Sequence, residues 1–186
     1  MSDEFAEPLR DLAATADKVA AMGPSLERAL GLVRETVRRG GTLFFCGNGG
    51  SAADAQHLAT EYVVRYSRKR RAYPAVALTT DTSLLTAVGN DLGFDEIFAR
   101  QVEALATPKD LLVIHTTSGD SRNLIRAAEA ARAKGVAVLA MSARGGGAIK
   151  ALATHTVVIP TDRTDRAQEL QLCIQHVICD AVEREL

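Results

Sequence analysis

Tryptophan is missing from this chain, and Phe and Tyr together make up only 4% of its 186 residues. Any core must therefore be aliphatic, built from the abundant Ala, Leu and Val. Charge of either sign is not in excess: 22 Lys and Arg stand against 23 Asp and Glu, a net charge of −1. That balance gives no global attraction to nucleic acid or to an anionic membrane surface. No apolar run is long enough to span a bilayer. The start, Met1-Ser2-Asp3-Glu4, is acidic and unlike a secretory signal. Cysteine is scarce and odd in number. Cys46, Cys173 and Cys179 lie in apolar segments and read as reduced, buried thiols of a cytoplasmic protein.

What is present is 47% apolar residues in an ordered alternation. A single domain over 1–186 is expected, long enough for a full core. A helical segment covers about 1–39, broken at Gly23-Pro24, with Pro24 suited to the first turn of a second helix. Strand-like runs follow at 42–46, 75–78, 111–116, 136–141 and 156–159. The clearest helices are 52–66, 121–134 and 165–185. Three of the strands are continuously apolar, the pattern of strands covered on both faces. The expected fold is α/β, a doubly wound and mainly parallel five-stranded sheet over 40–186. Ligands of such sheets bind past the carboxyl ends of the strands.

Two loops fall at such ends. Gly47, Asn48, Gly49, Gly50 and Ser51 separate the first strand from a helix, and backbone N–H groups at such a turn suit an anion. Thr116, Thr117, Ser118 and Ser121 place four hydroxyls in six residues before another helix. Capping that helix needs one accepting oxygen, from the Ser121 hydroxyl or the Asp120 carboxylate. Four hydroxyls suit a phosphate. Neither loop has the Gly-x-x-x-x-Gly-Lys-Ser/Thr spacing of an NTP site or the Gly-x-Gly-x-x-Gly spacing of a dinucleotide site. One turn beyond the glycines, His57 and Glu61 are four apart and share a helix face. The last helix carries Gln168 and His176, eight apart and within about 80° of each other around the axis. Three or four of His57, Glu61, Gln168 and His176 could surround a zinc ion if the two helices meet. A basic run, Arg65, Arg68, Lys69, Arg70 and Arg71, reads as a solvated loop, with Arg65 a candidate phosphate contact.

Cys-Gly-Asn-Gly-Gly-Ser-Ala-Ala-Asp-Ala-Gln-His at 46–57 resembles the signature of the phosphoheptose isomerases of the sugar isomerase (SIS) superfamily. So do Gly89-Asn90-Asp91, Thr-Ser-Gly-Asp-Ser at 117–121, and Asp165-Arg166-Ala167-Gln168-Glu169 with His176. The resemblance implies an SIS-type fold with N-terminal helices that build a homotetramer. It implies zinc held by His57, Glu61, Gln168 and His176. It implies substrate contacts at Asn48, Gly49, Gly50, Ser51, Glu61, Asn90, Asp91, Thr116, Thr117, Ser118, Ser121 and Gln168. The implied reaction converts sedoheptulose 7-phosphate to D-glycero-D-manno-heptose 7-phosphate, the first step toward nucleotide-activated heptose. Glu61 would be the base and His176 the partner acid. Asp120 stands where relatives often have Asn, and His115 where an aliphatic residue is expected; both bear on which sugar is taken. An alternative is a non-enzymatic SIS binding protein, such as those that associate with the replication initiator. Such relatives lose the catalytic pair, which this chain keeps. A sugar-phosphate-sensing regulator would add a DNA-binding domain, for which the short N-terminal segment leaves no room.

Overall fold

Five parallel strands form one sheet in the order β2-β1-β3-β4-β5, as described by a computed structural model for residues 3–186. The strands are β1 (Leu43–Cys46), β2 (Ala75–Ala77), β3 (Leu111–His115), β4 (Ala137–Ser142) and β5 (His155–Val158). The expected "mainly parallel" sheet is parallel at every pairing. The order reverses direction between β1 and β3, so a crevice opens there past their carboxyl ends.

The helices are α1 (Ala6–Ala20), α2 (Gly23–Arg38), α3 (Gly50–Val63), α4 (Thr82–Asp91), α5 (Ala99–Leu105), α6 (Arg122–Ala133) and α7 (Thr164–Glu185). Pro24 does sit at the start of α2. The sequence reading missed α4 and α5. Their residues, TSLLTAVGND and ARQVEAL, are short and rich in Thr, Gly and Asn or in mixed polar residues. Asp81 starts α4 by accepting from the Leu84 N–H at 2.9 Å.

Strand side chains alternate between the two faces of the sheet. Leu43, Phe45, Leu111, Val113, Leu139 and Met141 face one way, under α1, α2, α3 and α7, whose Val33, Leu58, Ile174 and Ile178 join them. Phe44, Cys46, Leu112, Ile114, Val138 and Ala140 face the other way, with Val102, Leu124 and Ala127 from α5 and α6. Truncating a fully buried member such as Leu139 to alanine should cost about 2–5 kcal/mol. Cys46 and Cys179 are buried as expected, but Cys173 is exposed. Leu170, Ile174 and Ile178 hold the inward stripe of α7, and the helical period turns position 173 outward.

Candidate active site

The chain leaves β1 at Cys46 and enters α3 within a few residues, a turn that needs glycine. Gly49 has φ +57°, which disfavours side chains. A Cβ on Gly50 would lie 2.7 Å from Gln168 Nε2, so glycine admits the close approach of α7. The second loop leaves β3 and enters α6 with Ser121 at the N-cap position. No side chain caps α6 there. Asp120 turns away and accepts from the Ala148 N–H at 2.8 Å. Its charge is thereby engaged by the segment that follows β4. Thr116 Oγ1 accepts from the Gly119 N–H at 3.1 Å, and Ser118 Oγ from the Asp120 N–H at 3.2 Å. The hydroxyls are therefore not spent on capping the helix.

The two loops meet. Asn48 and Asn123, at the start of α6, bridge them side chain to side chain. Between the loops lies a cavity of about 210 Å³ lined by Asn48, Ser51, Thr116, Thr117, Ser118 and Ser121, with Gln168 closing it from α7. His115 also borders the cavity. Its ring is fully buried, and neither nitrogen has a partner among the described residues. Burial lowers its pKa to about 4, so the imidazole is neutral at pH 7. The ring stacks on Phe45 with centroids 6.3 Å apart.

A second cluster forms where α3 and α7 pack. His57 Nε2 lies 2.8 Å from His176 Nε2 and 3.4 Å from a Glu61 carboxylate oxygen. One ligand atom from each residue falls within 4.8 Å of the others. Two imidazoles and a carboxylate converging this way fit a divalent ion of the zinc type. Burial, reinforced by His57, lowers the His176 pKa, against an opposing effect of Glu61. A neutral imidazole is the form that can bind a metal or accept a proton. The Tyr66 ring backs His176, with centroids 5.3 Å apart.

Comparisons with known proteins give the family. The SIS domain family matches residues 9–143. A phosphoheptose isomerase of Geobacter is 51% identical over 165 residues, covering 89% of this chain and 86% of its own. One from Akkermansia muciniphila is 44% identical over 186 residues, covering 100% and 98%. The chain belongs to the phosphoheptose isomerases of the SIS family. Solved phosphoheptose isomerases from Neisseria gonorrhoeae and Francisella tularensis superpose with TM-scores of 0.92 and 0.94. They are 37% and 32% identical, and in both pairs the coverage is 98% of each chain.

Within this isomerase, not every expected residue converges. Gln168 lies in the hydroxyl-lined cavity, against the glycine loop. Asn90 and Asp91 sit exposed at the end of α4, where the Asn90 amide donates to the Asp91 carboxylate at 2.7 Å. They do not line the cavity. Arg65 is exposed. The reading of the basic run as a solvated loop fails at Arg70, whose side chain is only 7% exposed. It points inward because buried Glu183 draws it there. Asn123 and Glu183 were invisible to sequence reasoning. Both are polar residues within helical patterns, and only packing decides that they are buried.

Proposed function

We infer that this chain is a ketose–aldose isomerase that converts sedoheptulose 7-phosphate to D-glycero-D-manno-heptose 7-phosphate. The observation that carries the reading is a shared pair of helices. α3 and α7 supply His57, Glu61 and His176 to one cluster, and Ser51 and Gln168 to the phosphate-sized cavity. A sugar phosphate anchored by one end would present its other end to the acid–base groups.

The phosphate belongs with Thr116, Thr117, Ser118 and Ser121, the glycine-loop N–H groups and the N-terminus of α6. Asn48 and Gln168 reach the sugar. Glu61 removes the C1 proton of the ketose, and the electron pair forms the enediol. The same carboxylate returns a proton to C2. His176 carries the hydroxyl proton from O1 to O2, which completes the aldose. His57, Glu61 and His176, with Gln168 as a fourth ligand, would hold zinc, which supplies polarisation of the sugar carbonyl.

Assembly as a homotetramer is part of this reading. An apolar groove of about 390 Å³ runs between α1, α2 and α7, lined by residues such as Val19, Leu26, Leu30 and Ile174. Leu9 and Val177 are each 62% exposed nearby. The exposed Asn90 and Asp91 would then serve the site of a neighbouring copy. No helix among the described residues is long and apolar enough to cross a membrane. The reading places the enzyme in the cytoplasm, where sugar phosphates and reduced thiols coexist.

The test is direct. Purified protein is incubated with sedoheptulose 7-phosphate and other ketose phosphates, with and without a strong chelator. Conversion of the heptulose phosphate and its loss on chelation are expected. Glu61→Gln should lower turnover by about 10²-fold or more with folding retained. Normal turnover in Glu61→Gln would move the base elsewhere.

A further inference from the structure

Helix α3 carries His57 and Glu61 and ends two residues beyond Glu61, at Val63, which leaves its last carbonyls without intrahelical partners. Arg70 supplies them. Its guanidinium donates to the Glu61 carbonyl at 2.6 Å and to the Tyr62 carbonyl at 2.8 Å. A third hydrogen bond goes to the Arg71 carbonyl at 2.9 Å. The guanidinium lies 4.1 Å from the centroid of the buried Tyr73 ring.

A cation so enclosed needs a counter-charge, and α7 provides it. Glu183 Oε1 lies 3.0 Å from Arg70 Nε, and the Glu183 side chain is 0% exposed. Glu183 stands seven residues beyond His176, two turns along the same face. Its carboxylate also accepts from three consecutive backbone N–H groups: Tyr66 at 2.6 Å, Ser67 at 2.9 Å and Arg68 at 2.9 Å. These contacts fix Tyr66, whose ring backs His176. One buried pair therefore holds the backbone of Glu61 on one side and the support of His176 on the other.

Buried ion pairs are weak stabilisers, since desolvation offsets much of their attraction. Apolar residues would fill this space at least as favourably. What they could not do is tie two carbonyls of α3, three N–H groups of the following loop and α7 to one point. We propose that Arg70 and Glu183 are positioning residues of the isomerase: they set the separation of Glu61 and His176 by clamping the end of α3 to α7. The proposal rests on Glu61 and His176 being the reacting pair.

The experiment compares Glu183→Gln and Arg70→Lys with the parent and with Glu61→Gln. Glu183→Gln removes the charge at nearly constant shape. Arg70→Lys keeps the charge and loses the planar fork that reaches two carbonyls. Each should lower kcat by about 10- to 100-fold, with KM changed by less than about twofold, because a small misplacement of reacting groups acts on the chemical step. Zinc affinity, read by competition with a chromophoric chelator, should fall in both. Unchanged kcat and zinc affinity in folded variants, with only the melting temperature lowered, would overturn the proposal and leave the pair a stabiliser of the fold. If Glu183→Gln does not fold, Arg70→Lys decides by the same two outcomes. If Glu61→Gln keeps normal turnover, the acid–base reading is what fails. Zinc affinity then still reports whether the clamp places His57, Glu61 and His176.

Discussion

Asn48 and Asn123 exchange two hydrogen bonds, each amide donating to the other's carbonyl oxygen at 3.0 and 2.7 Å. They are 75 residues apart in the chain and join the glycine loop to the first turn of α6. Asn123 is 2% exposed, so Asn123→Ala leaves the Asn48 amide unpaired beside the cavity. That should lower stability by about 1–3 kcal/mol. It should also raise KM for the sugar phosphate, because the two loops proposed to hold the phosphate lose their common anchor. Denaturant titration and steady-state kinetics check the two effects separately.

How much of this was readable beforehand depends on the range of the interaction. Strands β1, β3 and β4 were legible because burial on both faces writes itself as unbroken apolar runs. Helix α4 was not, because Thr, Ser and Gly89 dilute its pattern, and its formation depends on the Asp81 cap and on packing of Val88. His57 and Glu61 were legible as a local pair at helical spacing. Their meeting with His176 depends on α3 packing on α7, which no spacing encodes, and only the family resemblance pointed to it. Asp120 was a candidate cap for α6, and the structure gives it to the Ala148 N–H instead. Arg70 read as part of a solvated loop and Glu183 drew no reading, since nothing local distinguishes a buried pair from two solvated residues.

Removal of two hydroxyls tests the phosphate site. Ser118→Ala combined with Ser121→Ala should weaken substrate binding by about 1–3 kcal/mol if each hydroxyl meets the charged group. Neither side chain caps α6, so helix stability should change little. Inorganic phosphate should compete with substrate in the parent and less effectively in the double variant. Equal affinity in both proteins would remove these hydroxyls from the site.

Metal removal has a stability signature as well as an activity signature. An ion that binds only the folded chain stabilises it by about 2.7 kcal/mol at a hundredfold excess over Kd. Dialysis against a strong chelator should therefore lower the melting temperature, and zinc should restore it. In His57→Ala the difference between chelated and zinc-loaded protein should shrink, because one of three converging ligands is gone. An equal zinc response in that variant would place the metal elsewhere.

Acid should expose Glu183. Burial pushes its pKa up, but the Ser67, Tyr66 and Arg68 N–H groups and the Arg70 charge outweigh burial and hold it below the ordinary value. A depressed folded-state pKa contributes stability above the unfolded value, and that contribution disappears as pH falls through the folded one. Urea midpoints at pH 7 and at about pH 3.5, below the ordinary glutamate pKa near 4.3, should thus differ more in the parent than in Glu183→Gln. Parallel losses in the two proteins would assign acid sensitivity to other carboxylates.

Complementation tests the proposed assembly. Glu61 and His176 lie close enough within one chain to share a ligand cluster, so under the proposed mechanism each chain would supply its own acid–base pair. Asn90 and Asp91 lie outside the cavity of their own chain. If they reach a neighbouring site, Asp91→Ala and Glu61→Gln each inactivate the homotetramer in a different way. Co-expression of the two should then restore part of the activity, because some sites receive an intact Glu61 from one copy and an intact Asp91 from another. Mixing Glu61→Gln with His176→Ala should restore much less, since no chain then carries both members of the pair. Cyclic and dihedral assemblies place every copy in the same surroundings, so a residue that serves a neighbour does so in every copy. Light scattering on the same mixtures gives the mass of the active species. An active monomer would end the proposal, and a tetramer without complementation by Asp91→Ala would return Asn90 and Asp91 to the surface of their own chain.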